Sequence, residues 1–239
     1  MKIDPEQIKS EIRLYSNRRT ALFLILAFIA FILVYAPIKA FYATPMGGYY
    51  THIVLIPLVS LYLVYLKRKD ILNLQAYSLA AGLPVMLAGL VLFFGSRIPG
   101  TNLDSNNSAA LSALSVFIFI NGSFILAYGL KAYRAALFPL LFLVFIIPMP
   151  TVLMEGMITF LQVGSTEFTN LLFAASGVPF VRDGFVFHLP NLSVEVAKQC
   201  SGIRSAMAIF IVAVLAGYMF LKSTWKIIFL VICAVIIAM

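Results

Sequence analysis

The sequence predicts an all-α integral membrane protein, a polytopic helical bundle that carries one small extracytoplasmic β-hairpin. Three observations predict it. Hydrophobic residues make up 62% of the 239 and charged residues 11%, with a mean hydropathy of +1.02. Soluble domains run nearer about 45–50% apolar and about 25% charged, so this chain cannot cover itself with polar side chains and a soluble enzyme is excluded. The apolar residues also fall into long charge-free runs with Lys and Arg gathered between them. One stretch, 184–197, alternates with a period of two instead.

The runs are Thr20–Ile38, Ala40–Leu66, Ile71–Ser96, Ser105–Leu130, Ala135–Met154, Ser205–Leu221 and Ile227–Met239. The first five are about long enough to cross ~30 Å of hydrocarbon. They must be helical, because lipid offers no partner to open backbone groups. The net charge of +8 would point to nucleic acid in a soluble protein. In a polytopic chain it points to cytoplasmic loops, and no nucleic-acid partner is expected. Four basic clusters fit that rule: Lys2 to Arg19 in a cytoplasmic tail over residues 1–19, Lys67-Arg68-Lys69, Lys131 with Arg134, and Lys222 with Lys226. The chain reads as a single transmembrane domain, 1–239, in the cell (inner or cytoplasmic) membrane. No signal peptide is expected, since the first run is too long and no small-residue cleavage pattern follows it.

Parity constrains the second half. Span five exits near Pro148-Met149-Pro150, and the span beginning near Cys200 must enter from outside to leave Lys222 inside. Residues 151–199 should therefore begin and end outside. Val152–Ser176 reads as a helix loaded with Glu155, Thr159, Gln162, Ser165, Thr166, Glu167, Thr169 and Asn170, which suits an interfacial or re-entrant helix better than a lipid-facing crossing. In Gly184–Ala197, alternation on both sides of Pro190-Asn191 predicts a hairpin that leads directly to Cys200.

The chain has two cysteines, Cys200 and Cys233, too few for a disulfide framework or a cysteine metal cluster. No metal site and no cofactor is expected. Cys200-Ser201-Gly202-Ile203-Arg204 stands at the outer start of a helix. Free N–H groups and the positive dipole end favour a thiolate there. Arg204, four residues on, shares its face, and the N–H groups of Ser201 and Gly202 offer donors to an oxyanion. Local physics leaves an alternative for each: Cys200 as a small packing residue, and Arg204 as a side chain snorkelling from a helix end. His188, on the hairpin, is either a general base or a surface histidine. His52, near the outer end of the second span, fits substrate contact or structural hydrogen bonding. Cys233 lies about 20 Å below Cys200 along the returning helix and reads as apolar packing.

The run Val194–Ser205 around Cys200 resembles the active-site motif of the exosortase/archaeosortase family of polytopic cysteine transpeptidases. Tyr50-Thr51-His52 with the apolar Val54–Val59, the span Leu137–Pro150 ending in Ile-Pro-x-Pro, Gly177-Val178-Pro179, Arg182-Asp183-Gly184 and Leu189-Pro190 are similar to the family's other segments. The resemblance covers most of Tyr49–Leu221. It implies that Cys200 is an acyl-thioester nucleophile on the extracytoplasmic face, with Arg204 as a thiolate or oxyanion stabiliser. It implies substrate proteins with C-terminal sorting signals, and a lipid or glycan acceptor at the membrane. The sequence departs from the pattern at Thr51, Ile53 and Lys198-Gln199. The family also uses an Arg on the next helix and a His or second Arg further on. Ile227–Met239 is shorter than the ~20 residues of a span, which predicts further helices beyond Met239 and an inactive 239-residue chain. The alternative is a non-catalytic transporter or an assembly subunit of surface export. A transporter would carry internal repeats and mid-membrane ionisable residues, and neither is visible.

Overall fold

The computed structural model describes residues 18–43, 48, 50–74, 76–98, 103–198, 203–221 and 223–238. They form helices almost throughout and one three-stranded sheet. Among the described residues three helices are long and apolar enough to cross a membrane: Arg18–Lys39, Ser105–Ala135 and Ile203–Phe220. The chain folds as two compact units, Met1–Met149 and Pro150–Met239.

The first unit contains α1 (Arg18–Tyr42), α2 (Leu55–Leu66, after a 3-10 turn Thr51–Val54), α3 (Arg68–Asn73), α4 (Leu79–Gly95), α5 (Ser105–Ala135) and α6 (Leu137–Phe142, continued by a 3-10 turn Leu143–Ile146). α5 is central, with α1 and α4 packed along it. Asp104 caps it by accepting from the Asn107 N–H at 3.1 Å. Its buried hydroxyls are satisfied within the helix: Ser115 donates to Ser112 O and Ser123 to Phe119 O, both at 2.7 Å. A self-satisfied serine costs little when buried, so a helix of only moderate hydropathy occupies the interior. Meanwhile Leu24, Phe28 and Phe31 of α1 stand more than half exposed, as lipid-facing residues do.

α4 and α5 meet along glycines. A Cβ on Gly82 would lie 2.4 Å from Leu126 N, and one on Gly122 would lie 2.4 Å from Met86 N. Backbones approach this closely only where side chains are absent, and close approach is what holds helices together without a hydrophobic drive between them.

Three of the expected spans are cut shorter than their apolar runs. Ala40–Leu66 gives its first residues to α1, which ends at Tyr42, and α2 begins only at Leu55 after the 3-10 turn. Ile71–Ser96 divides because 71–73 belong to α3, and Ala76-Tyr77-Ser78 lie outside any helix, bonded to α5. Ala76 N–H donates to Tyr128 O at 2.9 Å and Ser78 N–H to Leu126 O at 3.4 Å. α5 makes this possible by breaking at Gly129, which sits at φ 85°, ψ 169°. The fourth run, expected to end at Leu130, therefore continues as helix to Ala135 across that break. The fifth run, Ala135–Met154, supplies only α6 and its 3-10 turn before Pro148 and Pro150, since proline cannot continue a helix ladder.

The second unit contains α7 (Thr151–Ser176), β1 (Val181–Asp183), β2 (Val186–Leu189), β3 (Leu192–Glu195), α8 (Ile203–Phe220) and α9 (Thr224–Ala238). Val152–Ser176 is helical as expected. Gly177, left-handed at φ 70°, ends α7. The hairpin is present at the expected turn, with Leu189 opposite Leu192 across Pro190-Asn191. It gains a strand the period did not predict. β1 pairs antiparallel with β2, Asp183 opposite Val186, through a turn that needs Gly184 at φ 60°. β1 has only three residues, all exposed, so it shows no alternation to detect.

Candidate active site

The sequence between β3 and α8 is where the sequence places the chemistry. Gln199, Cys200, Ser201 and Gly202 lie outside the described residues, between β3 and α8. Upstream, the sheet is seated on α7 by aromatic rings. Phe187, fully buried on β2, lies 5.3 Å from the Phe173 ring of α7 and 5.7 Å from that of Phe180. Arg182 of β1 ties the same elements at the surface, donating to Glu167 of α7 at 2.8 Å and to Gly184 O at 2.9 Å. The hydrogen bond to Glu167 raises the Arg182 pKa beyond its ordinary value, so that side chain stays cationic. Exposed pairs of this kind contribute little to stability, and their value here is register. Downstream, Ile203 is 1% exposed and begins α8. Arg204 sits in the first turn of α8 and is exposed, consistent with either role the sequence allows it.

His188 stands on the exposed face of β2, opposite Ser193 of β3, with Nδ1 2.9 Å from Ser193 Oγ. That is a cross-strand pair on the hairpin surface. His52 belongs to the first unit, in the 3-10 turn before α2. Its ring lies 5.9 Å from that of Tyr50. Cys233 is a half-buried free thiol that lines an apolar groove with Leu221, Trp225 and Phe229.

Within the first unit, two distant segments that resemble the family's motifs come together. Tyr50, 1% exposed, accepts from Met149 N–H at 3.1 Å through its hydroxyl, which also lies 3.5 Å from Met149 O. Asn106 Nδ2 donates to the same carbonyl at 2.7 Å. So the Tyr50-Thr51-His52 stretch and the Ile147-Pro148-Met149 segment are joined within the first unit, held by Tyr50 and Asn106. In the sequence Asn106 is one residue of the run Ser105–Leu130, and nothing in its neighbourhood announces Met149.

A family model for transmembrane exosortases matches residues 45–239. The chain belongs to the transmembrane exosortase family. No curated protein and no solved structure matches it. The match takes in both the cluster around Tyr50 and the whole second unit, Cys200 included. An exosortase is in general a membrane transpeptidase, and the apolar helices agree with a multi-pass membrane protein. Gln162 of α7 has a partner that the sequence did not foretell. It was legible as one more polar residue on α7, yet it is 4% exposed, and its Nε2 donates to Val196 O at 2.7 Å. Among the described residues no group of His, Cys, Asp and Glu is arranged to hold a metal ion.

Proposed function

We propose that this exosortase is a membrane-embedded cysteine transpeptidase that cleaves the C-terminal sorting signals of secreted proteins. The observation that carries the proposal is the family match over 45–239, within which Cys200-Ser201-Gly202-Ile203-Arg204 is the segment equipped with a nucleophile. The Cys200 thiolate attacks the scissile carbonyl, and the oxyanion meets N–H groups at the start of α8. The C–N bond breaks, the leaving amine takes a proton, and the N-terminal part of the substrate remains as a thioester on Cys200. An amine or hydroxyl on a lipid or glycan carrier then attacks the thioester and releases the thiolate. Membrane tethering brings substrate and nucleophile together in two dimensions, which raises their effective concentration. Arg204 holds the thiolate or the oxyanion by charge.

Trapping tests the covalent step. Acid-quenched enzyme incubated with a tagged substrate should yield a Cys200-containing peptide with a hydroxylamine-labile acyl group. Turnover with no such adduct under single-turnover conditions would sink the thioester mechanism.

The proposal also sets the sheet outside the membrane. In a variant lacking both native cysteines, single cysteines at Asp183 or Asn191, both exposed, should react with an impermeant thiol reagent added to intact cells. One at Asp70, beside the basic cluster before α4, should react only after lysis. Protection of Asp183 and Asn191 until lysis would instead make α7 a crossing and put the nucleophile on the wrong face.

A further inference from the structure

The cations of the first unit gather around one packed cluster. That cluster joins Ile71 of α3, Tyr128 and Ala132 of α5 and Leu140 of α6, with Phe23 of α1 and Val64 of α2 against it. It holds these helices together near one end of the unit, and the charges flank it in sequence. Arg18 and Arg19 precede Phe23, Lys67-Arg68-Lys69 lie between Val64 and Ile71, and Lys131 and Arg134 bracket Ala132. Two hydrogen bonds tie the cationic segments to one another. Lys67 Nζ donates to Ala135 O at 3.2 Å, next to Arg134. The Tyr128 hydroxyl donates to Thr20 Oγ1 at 3.1 Å, next to Arg19. Asp70 is the one carboxylate written into these segments. Among the described residues no carboxylate pairs with Arg18, Arg19, Lys69, Lys131 or Arg134.

Two aromatic contacts set the level of this charge. The Arg19 guanidinium lies 4.3 Å from the centre of the Tyr77 ring, and that of Arg68 4.1 Å from the Tyr65 ring. Both rings are exposed. Tyrosine belongs where lipid tails give way to headgroups, and an arginine stacked on it keeps its charge at that boundary. Leu66, Leu74 and Leu130 are exposed next to the same cationic segments, so surface suited to acyl chains adjoins the charge. A nucleic acid or an acidic protein would use the charge alone. By the charge rule this end is cytoplasmic, and a cluster of about four to eight cations at the cytoplasmic end of a membrane helix is the pattern that retains anionic headgroups. We propose that this end of the first unit binds anionic phospholipid of the cytoplasmic leaflet, with phosphates on Lys69, Lys131, Arg134 and the α1 arginines and acyl chains on the exposed leucines. The binding is independent of the chemistry at Cys200.

The test uses the full-length protein in lipid discs of phosphatidylcholine with a minor share of phosphatidylglycerol. Spin-labelled lipids report how much of each contacts the protein. Phosphatidylglycerol should be preferred about fivefold, the ratio that one cation at the membrane surface supplies, and the preference should fade in high salt. The joint variant Lys69→Gln, Lys131→Gln, Arg134→Gln should bring the ratio close to one. Lys39→Gln, at the other end of α1, should leave it unchanged. No preference in the wild type, or an unchanged one in the joint variant, would overturn the proposal. Amine labelling of the wild-type protein decides the matter even where the joint variant folds poorly. Lys69 and Lys131 should be modified several-fold more slowly in discs containing phosphatidylglycerol than in phosphatidylcholine alone, and Lys39 at one rate in both. Equal slowing of all three would overturn the proposal, because surface potential alone would then account for the effect. Inorganic phosphate added at constant ionic strength should leave the lipid preference intact. Loss of the preference in phosphate would show that an ion from solution occupies these cations, and would overturn the lipid assignment.

Discussion

Replacing Cys200 by Ala is expected to abolish release of the sorting-signal tail while leaving membrane insertion and expression unchanged. The side chain removed is the one that would form the covalent intermediate. Removal of such a nucleophile typically costs on the order of a millionfold in kcat, which in a processing assay is complete loss. Stability should barely move, since the change deletes one sulfur in a short segment between the sheet and α8. Cys233→Ala is the internal control. It removes the other free thiol, in an apolar groove where a methyl group is an adequate substitute, and should leave processing at the wild-type rate. The measurement is the ratio of cleaved to uncleaved tagged substrate in membranes containing each variant at matched level. Normal processing by Cys200→Ala would exclude covalent catalysis at this residue and return the non-catalytic assembly role to first place.

Gly129→Ala should fail for a different reason, by preventing the first unit from folding. Gly129 lies at φ 85°, ψ 169°, a region open essentially to glycine alone, where any other residue costs about 1–3 kcal/mol. A Cβ there would also sit 2.3 Å from Ala76 O, a main-chain atom that cannot swing aside. Ala76 is held to Tyr128 O by its own N–H, so relieving the contact means giving up the strap that joins α3 and α4 to α5. The combined cost exceeds about 3 kcal/mol, a large part of the stability of a typical domain. Little folded protein should be recovered in detergent, and what is recovered should unfold at a lower temperature. Gly156→Ala, on an exposed face of α7 with nothing within 4 Å of its Cβ, should be neutral or stabilising by up to about 1 kcal/mol. Equal unfolding temperatures for Gly129→Ala and wild type would show that the break in α5 is not required.

The membrane class was legible because it depends on composition summed over long runs, and a run such as Ser105–Leu130 keeps its meaning whatever it packs against. The β2–β3 hairpin was legible because a period of two around Pro190-Asn191 is a local signal. β1 was not, since three exposed residues cannot show a period and Val181–Asp183 is a strand only because β2 lies beside it. The shortening of the third span was hidden for a related reason. Ala76-Tyr77-Ser78 is apolar enough to continue a helix, and only the open carbonyls of Leu126 and Tyr128 draw it out of one.

The sequence by itself determined that this chain is a multi-pass membrane protein and which segment carries its nucleophile candidate, because hydropathy and the run Cys200-Ser201-Gly202-Ile203-Arg204 are written in consecutive residues. The tertiary structure alone decided what holds those segments: Tyr50 on Met149, 99 residues apart, and Gln162 on Val196, 34 apart. An amide or a phenol in a sequence shows only that a hydrogen-bonding group must be satisfied. Which carbonyl or N–H satisfies it depends on which backbones the packed helices bring within about 3 Å, and no local pattern encodes that meeting.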